Sequence, residues 1–161
     1  MGGNTLSNKT PAYNITFALE SFAETREEAM ELGAAHYLEV EESDNPLDPD
    51  WEQYLLIEGH GHLRTITARD EGVLVGYCVV FLSPNIHSKG KVAGAVDIIY
   101  LQPSYRRGII SLKFFKFIEK VLKSDGVDYI RTTTRPNADH AKFLEYMGYS
   151  YVEAVYTKEL N

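Results

Sequence analysis

The stretch VAGAVDIIYLQPSYRRGIISLKFFKFIE, residues 92–119, constrains this chain more than any other. Residues 92–101 are mostly β-branched or aromatic, interrupted by Gly94 and Asp97, and Pro103 then removes a ladder donor and stops the strand. From Ile110 on, the apolar residues Phe114, Phe117, Ile118 and Val121 recur at offsets of three and four, which is the stripe of a helix laid on a sheet. Between the two lies a sharp turn, Tyr105-Arg106-Arg107-Gly108-Ile109-Ile110-Ser111. It leads into a helix start whose first amides have no internal partner, and Gly108 lets the backbone approach a ligand closely. Such a turn can hold an anion. A Walker A loop would need Gly, four residues, then Gly-Lys-Ser/Thr, and a dinucleotide fingerprint would need three spaced glycines; this turn has one glycine and neither pattern.

The same segment resembles the acetyl-CoA-binding motif of the GNAT acetyltransferase superfamily, Arg/Gln-x-x-Gly-x-Gly/Ala, set between the fourth strand and the third helix. In that register Arg106 fills the first position and Ser111 the last, small one. The middle glycine falls on Ile109, with Gly108 displaced by one. The departure resembles a shorter Tyr-Arg-Gly-Gly form found in phage-encoded members, with Arg107 in place of a glycine. A second segment, NADHAKFLEYMGY at residues 137–149, resembles the family's Asn and Ala ahead of Glu-x-x-Gly-Phe.

Composition narrows the remaining choices. A chain of 161 residues fits one domain with a proper core, here residues 1–161 with 1–12 as a loose leader. At 44% hydrophobic and 24% charged residues it is ordinary globular material. Its single cysteine, Cys78, cannot form an internal disulfide and sits in an apolar strand, which fits a reducing cytoplasm and a structural thiol. A net charge of -7 argues against a nucleic-acid partner and mildly for a cationic one. No apolar run approaches the roughly 18 residues of a membrane span, and no signal peptide is visible. His60-Gly61-His62 hints at a metal but has no third ligand nearby, so no metal is expected.

Taken in order, residues 14–19 read as a first edge strand, Thr25 with Glu27 and Glu28 as a helix start, and residues 43–49 as a loop. Asp50 caps a short helix through Trp51, Tyr54, Leu55 and Ile57. Residues 62–68 and 73–82 form a hairpin about Asp70-Glu71-Gly72, residues 83–91 a polar loop carrying His87, and Asp125-Gly126 ends the helix after the central strand. Residues 127–134 read as a strand, residues 137–147 as a helix closed by Gly148, and residues 149–158 as the last strand. The resulting order, β, α, α, β, β, β, α, β, α, β, is the GNAT topology. The expected fold is therefore α/β (α+β): a mixed central sheet of about six strands, with splayed parallel strands four and five, flanked by about four helices.

The resemblance implies an acetyltransferase in which acetyl-CoA lies where the two parallel strands splay. It places the thioester beside Ile99, Tyr100 and Leu101, the pyrophosphate on the amides from Arg107 through Gly108, Ile109 and Ile110 to Ser111 with help from Arg106, and the pantetheine arm near Asn137. Transfer to an amine needs a base for the amine proton. Asp97 is the candidate: it lies four residues before Leu101, so a period of two puts both on one face, the parity at which family members carry Glu or His. Its structural alternative is a carboxylate bonded to a neighbouring strand or loop. The tyrosine that many members place four residues before the Gly of Gly-Phe is Leu144 here, and Tyr146, two positions on, remains the candidate acid on that helix. His36 and Glu39 on the first helix, His87, and Thr133 could line the acceptor side, each with a surface or packing role as the alternative.

Two functions follow. The first is acetyl-CoA-dependent N-acetylation of an amine, on a small molecule or on a protein lysine or N-terminus, by direct attack in a ternary complex. The second is a GNAT-fold binding protein without catalysis, such as a phage factor or virion component contacting a host protein, suggested by Leu144 and the substituted motif glycines. Neither involves nucleic acid or membrane; homodimers are common in the family.

Overall fold

The structure, a computed structural model, describes residues 13–40, 47–106, 108–134 and 139–160. It comprises two compact units, Met1–Arg131 and Thr132–Asn161.

The first unit is built on a five-stranded sheet in the order β1 (Ile15–Glu20), β2 (Leu63–Asp70), β3 (Val73–Pro84), β4 (Val92–Leu101) and β5 (Tyr129–Arg131). The first four strands pair antiparallel, and β4 and β5 run parallel. Two helices, α1 (Phe22–Val40) and α2 (Trp51–Gly59), connect β1 to β2, and α3 (Ile109–Ser124) makes the crossover from β4 to β5. The β2–β3 hairpin closes where expected. Glu71 and Gly72 both take positive φ, 49° and 88°, the pairing that matches a tight turn to the right-handed strand twist.

Each face of the sheet carries its own core. On one, Phe114, Ile118 and Leu122 of α3 pack on Ile66, Cys78, Val80 and Leu101, with Ile110, Phe117 and Val121 filling the flanks, so the stripe read from the sequence is the buried one. On the other, Phe22, Ala29 and Leu32 of α1 meet Leu63, Leu74, Tyr77, Val79 and Tyr100, with Trp51, Tyr54 and Leu55 of α2 alongside.

Two elements depart from expectation. Helix α1 starts at Phe22 rather than at Thr25. Its free first amides are met by a carboxylate from α2: Glu58 accepts from Phe22 N at 2.5 Å, Ala23 N at 3.3 Å and the Ser21 hydroxyl at 3.3 Å. Thr25 is instead 2% exposed and donates its hydroxyl to Ser21 O at 2.9 Å. A cap supplied from the next helix replaces the local one, since any acceptor that reaches the first turn satisfies it.

The second unit contains α4 (Asp139–Tyr146), closed by Gly148 at φ 92°. Residues 149–160 form no strand, and Tyr151, Val152, Val155 and Tyr156 are exposed. Their β propensity alone does not make a strand, which exists only as part of a ladder. Strand β5 likewise covers only three of the residues expected to be extended.

Candidate active site

The register between β3 and β4 decides the chemistry. Val79 faces Ile98, but the next pair is Val80 with Val96, so Asp97 is an extra residue in β4, a β-bulge. The bulge breaks the period of two. Leu101 packs in the α3-side core together with Ile99 and Val96, whereas Ile98 and Tyr100 belong to the α1/α2 side. Asp97 turns to that second side, where the Tyr54 hydroxyl of α2 donates to its Oδ2 at 2.6 Å. Asp97 and Leu101 therefore lie on opposite faces, contrary to the simple parity argument.

Tyr54 is a residue that sequence reasoning assigned only to packing. Burial, then the hydrogen bond to Asp97 and the carboxylate charge, push its phenol well above the usual tyrosine range, so it stays protonated and donating. The sequence signal was present in the i, i+3 placement of Trp51 and Tyr54 directly after the Asp50 cap, which accepts from Gln53 N at 3.0 Å.

Beside this pair α1, α2 and the sheet enclose a cavity of about 330 Å³, whose walls include Phe22, Gly33, His36, Trp51, Tyr54 and Tyr77. The rings form a connected layer: Phe22 stacks on Tyr54 at 5.0 Å between centroids, and Tyr54 on Phe81 at 5.8 Å. His36 stacks on Tyr100 at 4.8 Å. Burial lowers the His36 pKa, more than the nearby Glu39 charge raises it, which favours the neutral imidazole. The Tyr77 phenol is pushed up to about 12, chiefly by burial. His36 lines the cavity.

At the C-terminal end of β4 the chain makes a 3-10 turn, Pro103–Tyr105, and reaches α3 through Gly108 at φ 75° and ψ -142°, with no side-chain cap on the first amides of α3 among the described residues. A Cβ at Gly108 would meet nothing within 4 Å, so the glycine is required by its backbone angle rather than by space. Ile109 is 58% exposed at the helix start, Ile110 lies against the α3-side core, and the Ser111 hydroxyl donates to Arg106 O at 2.9 Å. The turn therefore offers uncapped donors, as an anion site would.

Arg106 is already engaged. Its Nε donates to Leu101 O at 2.5 Å, its two terminal nitrogens grip the Glu39 carboxylate of α1, and its guanidinium lies 5.2 Å from the Tyr100 ring centre. The arginine holds Glu39 below the usual carboxylate range. Two residues expected on different ligands, one on the cofactor and one on the acceptor, are thus paired with each other.

On the other side of β4, pairing with β5 covers only Ala93 to Ala95 against Tyr129 to Arg131. From residue 96 onward β4 has no strand neighbour on that flank among the described residues. This is the splay expected of the parallel pair, and it begins at the bulge.

The remaining candidates are scattered. His87 lies in the loop that precedes β4, at the opposite end of the strand from the turn, where its amide donates to Asn85 Oδ1 at 2.9 Å; it does not line the cavity. Thr133 is exposed and belongs to the second unit, as does Tyr146, which is 76% exposed on α4. Leu144, at the family's usual tyrosine position, is buried. Arg107 and Asn137 lie outside the described residues. His60 Nδ1 sits 2.7 Å from Leu56 O, and no cluster able to hold a metal occurs among the described residues. No described helix is long and apolar enough to cross a membrane.

Comparison with known proteins agrees with this arrangement. Ribosomal-protein-alanine N-acetyltransferase from Brucella melitensis biovar Abortus 2308 superposes with a TM-score of 0.71 at 21% identity, over 92% of this chain and 99% of that one. Glucosamine-6-phosphate N-acetyltransferase from Arabidopsis thaliana gives 0.69 at 14% identity, over 92% and 99%. An aminoglycoside acetyltransferase from an uncultured soil metagenomic sample, in complex with sisomicin, gives 0.66 at 14% identity, over 90% and 97%. At such identities these likenesses establish the fold. A search of curated proteins found no match. The model of the acetyltransferase (GNAT) family matches residues 22–149, which span α1 through α4 and so include the bulged strand, the cavity and the uncapped turn, and the chain belongs to that family.

Proposed function

We propose that this protein transfers the acetyl group of acetyl-CoA to an amine seated beside Asp97, by direct attack in a ternary complex. The observation that carries this reading is the bulge, which turns the Asp97 carboxylate to the cavity side of the sheet, where Tyr54 holds it. A carboxylate fixed at that place can take a proton from the incoming ammonium, directly or through one water. The freed nitrogen lone pair attacks the thioester carbonyl carbon, the carbon–sulfur bond breaks with its electron pair going to sulfur, and the nitrogen passes its second proton to water, leaving the neutral amide and a thiolate. A thiol's ordinary pKa, roughly 8.5, makes the thiolate a competent leaving group near neutral pH, so water can supply its proton. Tyr146, on α4, is the side-chain alternative for that proton.

The cosubstrate fits the residues present. Uncapped amides at the start of α3, from Gly108 through Ser111, suit a pyrophosphate, and Arg106 could add a charged contact by exchanging Glu39 for the ligand. The unpaired flank of β4 at Ile99, Tyr100 and Leu101 suits an extended pantetheine arm, with Arg107 and Asn137 as further contacts. His36 is proposed on the acceptor side, with Glu39, His87 and Thr133 as further candidates there.

Titration calorimetry with acetyl-CoA, followed by thiol release with an amine panel, tests the reading. Binding together with release that Asp97→Asn abolishes supports it. Binding of a protein partner that survives Asp97→Asn, with no thiol release, would instead favour a binding protein that has lost catalysis, which Leu144 at the usual tyrosine position would then explain.

A further inference from the structure

We infer that the acceptor is a small primary amine carrying an aromatic ring, and that the cavity between α1, α2 and the sheet selects it; this rests on the acetyltransferase reading above. The walls are the argument. Phe22, Trp51, Tyr54 and Tyr77 present rings, Met30 and Leu47 close the sides, and among the described residues Asp48 is the lone lining residue with a carboxylate or a fixed cationic charge. His36, the one other titratable nitrogen there, favours its neutral form. A polyamine or a polyaminated sugar would bring several ammonium groups against this layer of rings, whose faces replace little of their hydration, at a large desolvation cost. A single ammonium has a partner, because Asp97 lies next to the cavity-lining Tyr54 and Ile98. The ring of such a ligand would join the stack already formed by Phe22 and Tyr54, whose planes are 14° apart, with Trp51 tilted against Phe22. An ammonium near the Tyr54 and Trp51 faces gains further from the ring quadrupoles.

Size points the same way. A volume of about 330 Å³ suits a single-ring ligand and lies at the small end of ligand sites. Gly33 keeps it open: a Cβ there would sit 3.4 Å from the Tyr77 hydroxyl and 3.9 Å from Leu47 Cδ2, so a longer side chain would project among the lining groups. On this helix a glycine weakens α1 relative to alanine, and its absent side chain is what the cavity needs.

The test compares phenethylamine with spermidine, kanamycin and a short lysine peptide as acceptors, by thiol release at saturating acetyl-CoA, with calorimetry for acetyl-CoA and for phenethylamine alone. The expected result is a kcat/KM for phenethylamine at least tenfold above the others. Gly33→Leu should lower that value at least tenfold, mostly through KM, while leaving acetyl-CoA affinity and the melting temperature near those of the parent. Spermidine, kanamycin or the peptide being preferred, or Gly33→Leu having no effect, would overturn the inference while leaving the acetyltransferase reading intact. Absence of acetyl-CoA binding would instead remove that reading, and phenethylamine binding that Gly33→Leu weakens would still support the cavity assignment. Absence of phenethylamine binding in both formats counts against the cavity assignment whatever acetyl-CoA does.

Discussion

The two faces of the sheet are built from different materials and do different things. On the α3 face, Ile66, Cys78, Val80, Phe114 and Leu122 are aliphatic, sulfur or phenyl groups almost wholly removed from water and packed on one another. On the α1/α2 face, Phe22, Trp51, Tyr54, Tyr77 and Tyr100 are broad rings, some with polar tips, and they leave a cavity. Flexible aliphatic side chains interdigitate; flat rings stack in layers and leave gaps at their edges. Hydroxyls on those rings also hold polar partners, as Tyr54 holds Asp97. The face that carries the cavity is the one to which the proposed chemistry is assigned.

Substitutions on the two faces should therefore separate activity from stability. The largest effect is expected from Asp97→Asn, with a loss of about 10²–10⁴ in the rate of acetyl transfer. Its melting temperature and its calorimetric acetyl-CoA affinity should stay close to the parent values. An inactive variant that has also unfolded would erase the contrast between the faces. On the opposite face, Phe114→Ala should cost about 3–5 kcal/mol in urea unfolding, while the remaining folded fraction keeps its KM for acetyl-CoA.

A middle-sized effect belongs to the join between α1 and α2. Removing the Glu58 carboxylate as Glu58→Ala frees three donors at the start of α1 and should cost about 1–2 kcal/mol, read by chemical denaturation. Because both helices wall the cavity, acceptor KM should rise as well; a purely local effect would leave KM unchanged. Smaller still is the pH effect of His36. Its folded pKa lies below its unfolded value near 6.5, so the folded state binds the proton more weakly and stability is lost as pH falls from about 6.5 toward the folded value. Melting temperature measured against pH should show this loss, and His36→Gln should flatten it. The Arg106–Glu39 pair acts in the same direction at lower pH, below the ordinary carboxylate value of 4.5, because Glu39 is held down by the arginine. With both partners more than a third exposed, Glu39→Gln should change stability by less than about 1 kcal/mol. If Glu39 competes with the cofactor for Arg106, the same variant should tighten acetyl-CoA binding slightly in calorimetry.

Much of the framework was legible in the chain. The limits of β4 were read as they are found, the stripe from Ile110 to Val121 is the buried face of α3, Asp50 caps α2, and Glu71-Gly72 turns the hairpin. Each of these depends on residues within about four positions of one another, a range over which periodicity, capping and turn chemistry act directly. For His36 the sequence left an acceptor-side and a packing role open, and the structure places it in the cavity wall, stacked on Tyr100. The parity of Asp97 was not legible, because the bulge is a property of how two strands align and leaves no local trace in Ile98 or Val96. The strand expected over residues 149–158 shows the complementary failure: propensity is local, whereas a strand is defined by a ladder, and none is formed there.

By itself, then, the sequence determined the four helices and the first four strands of the sheet, their order, and the turn before α3, all consequences of short-range sterics and periodicity. Tertiary structure alone decided that Glu58 caps a helix 36 residues earlier, that Tyr54 holds Asp97 across 43 residues, and that Arg106 grips Glu39 across 67. Each of these contacts joins groups that only the closed sheet and its packed helices bring within hydrogen-bonding distance, a range of about 3 Å that no spacing along the chain encodes.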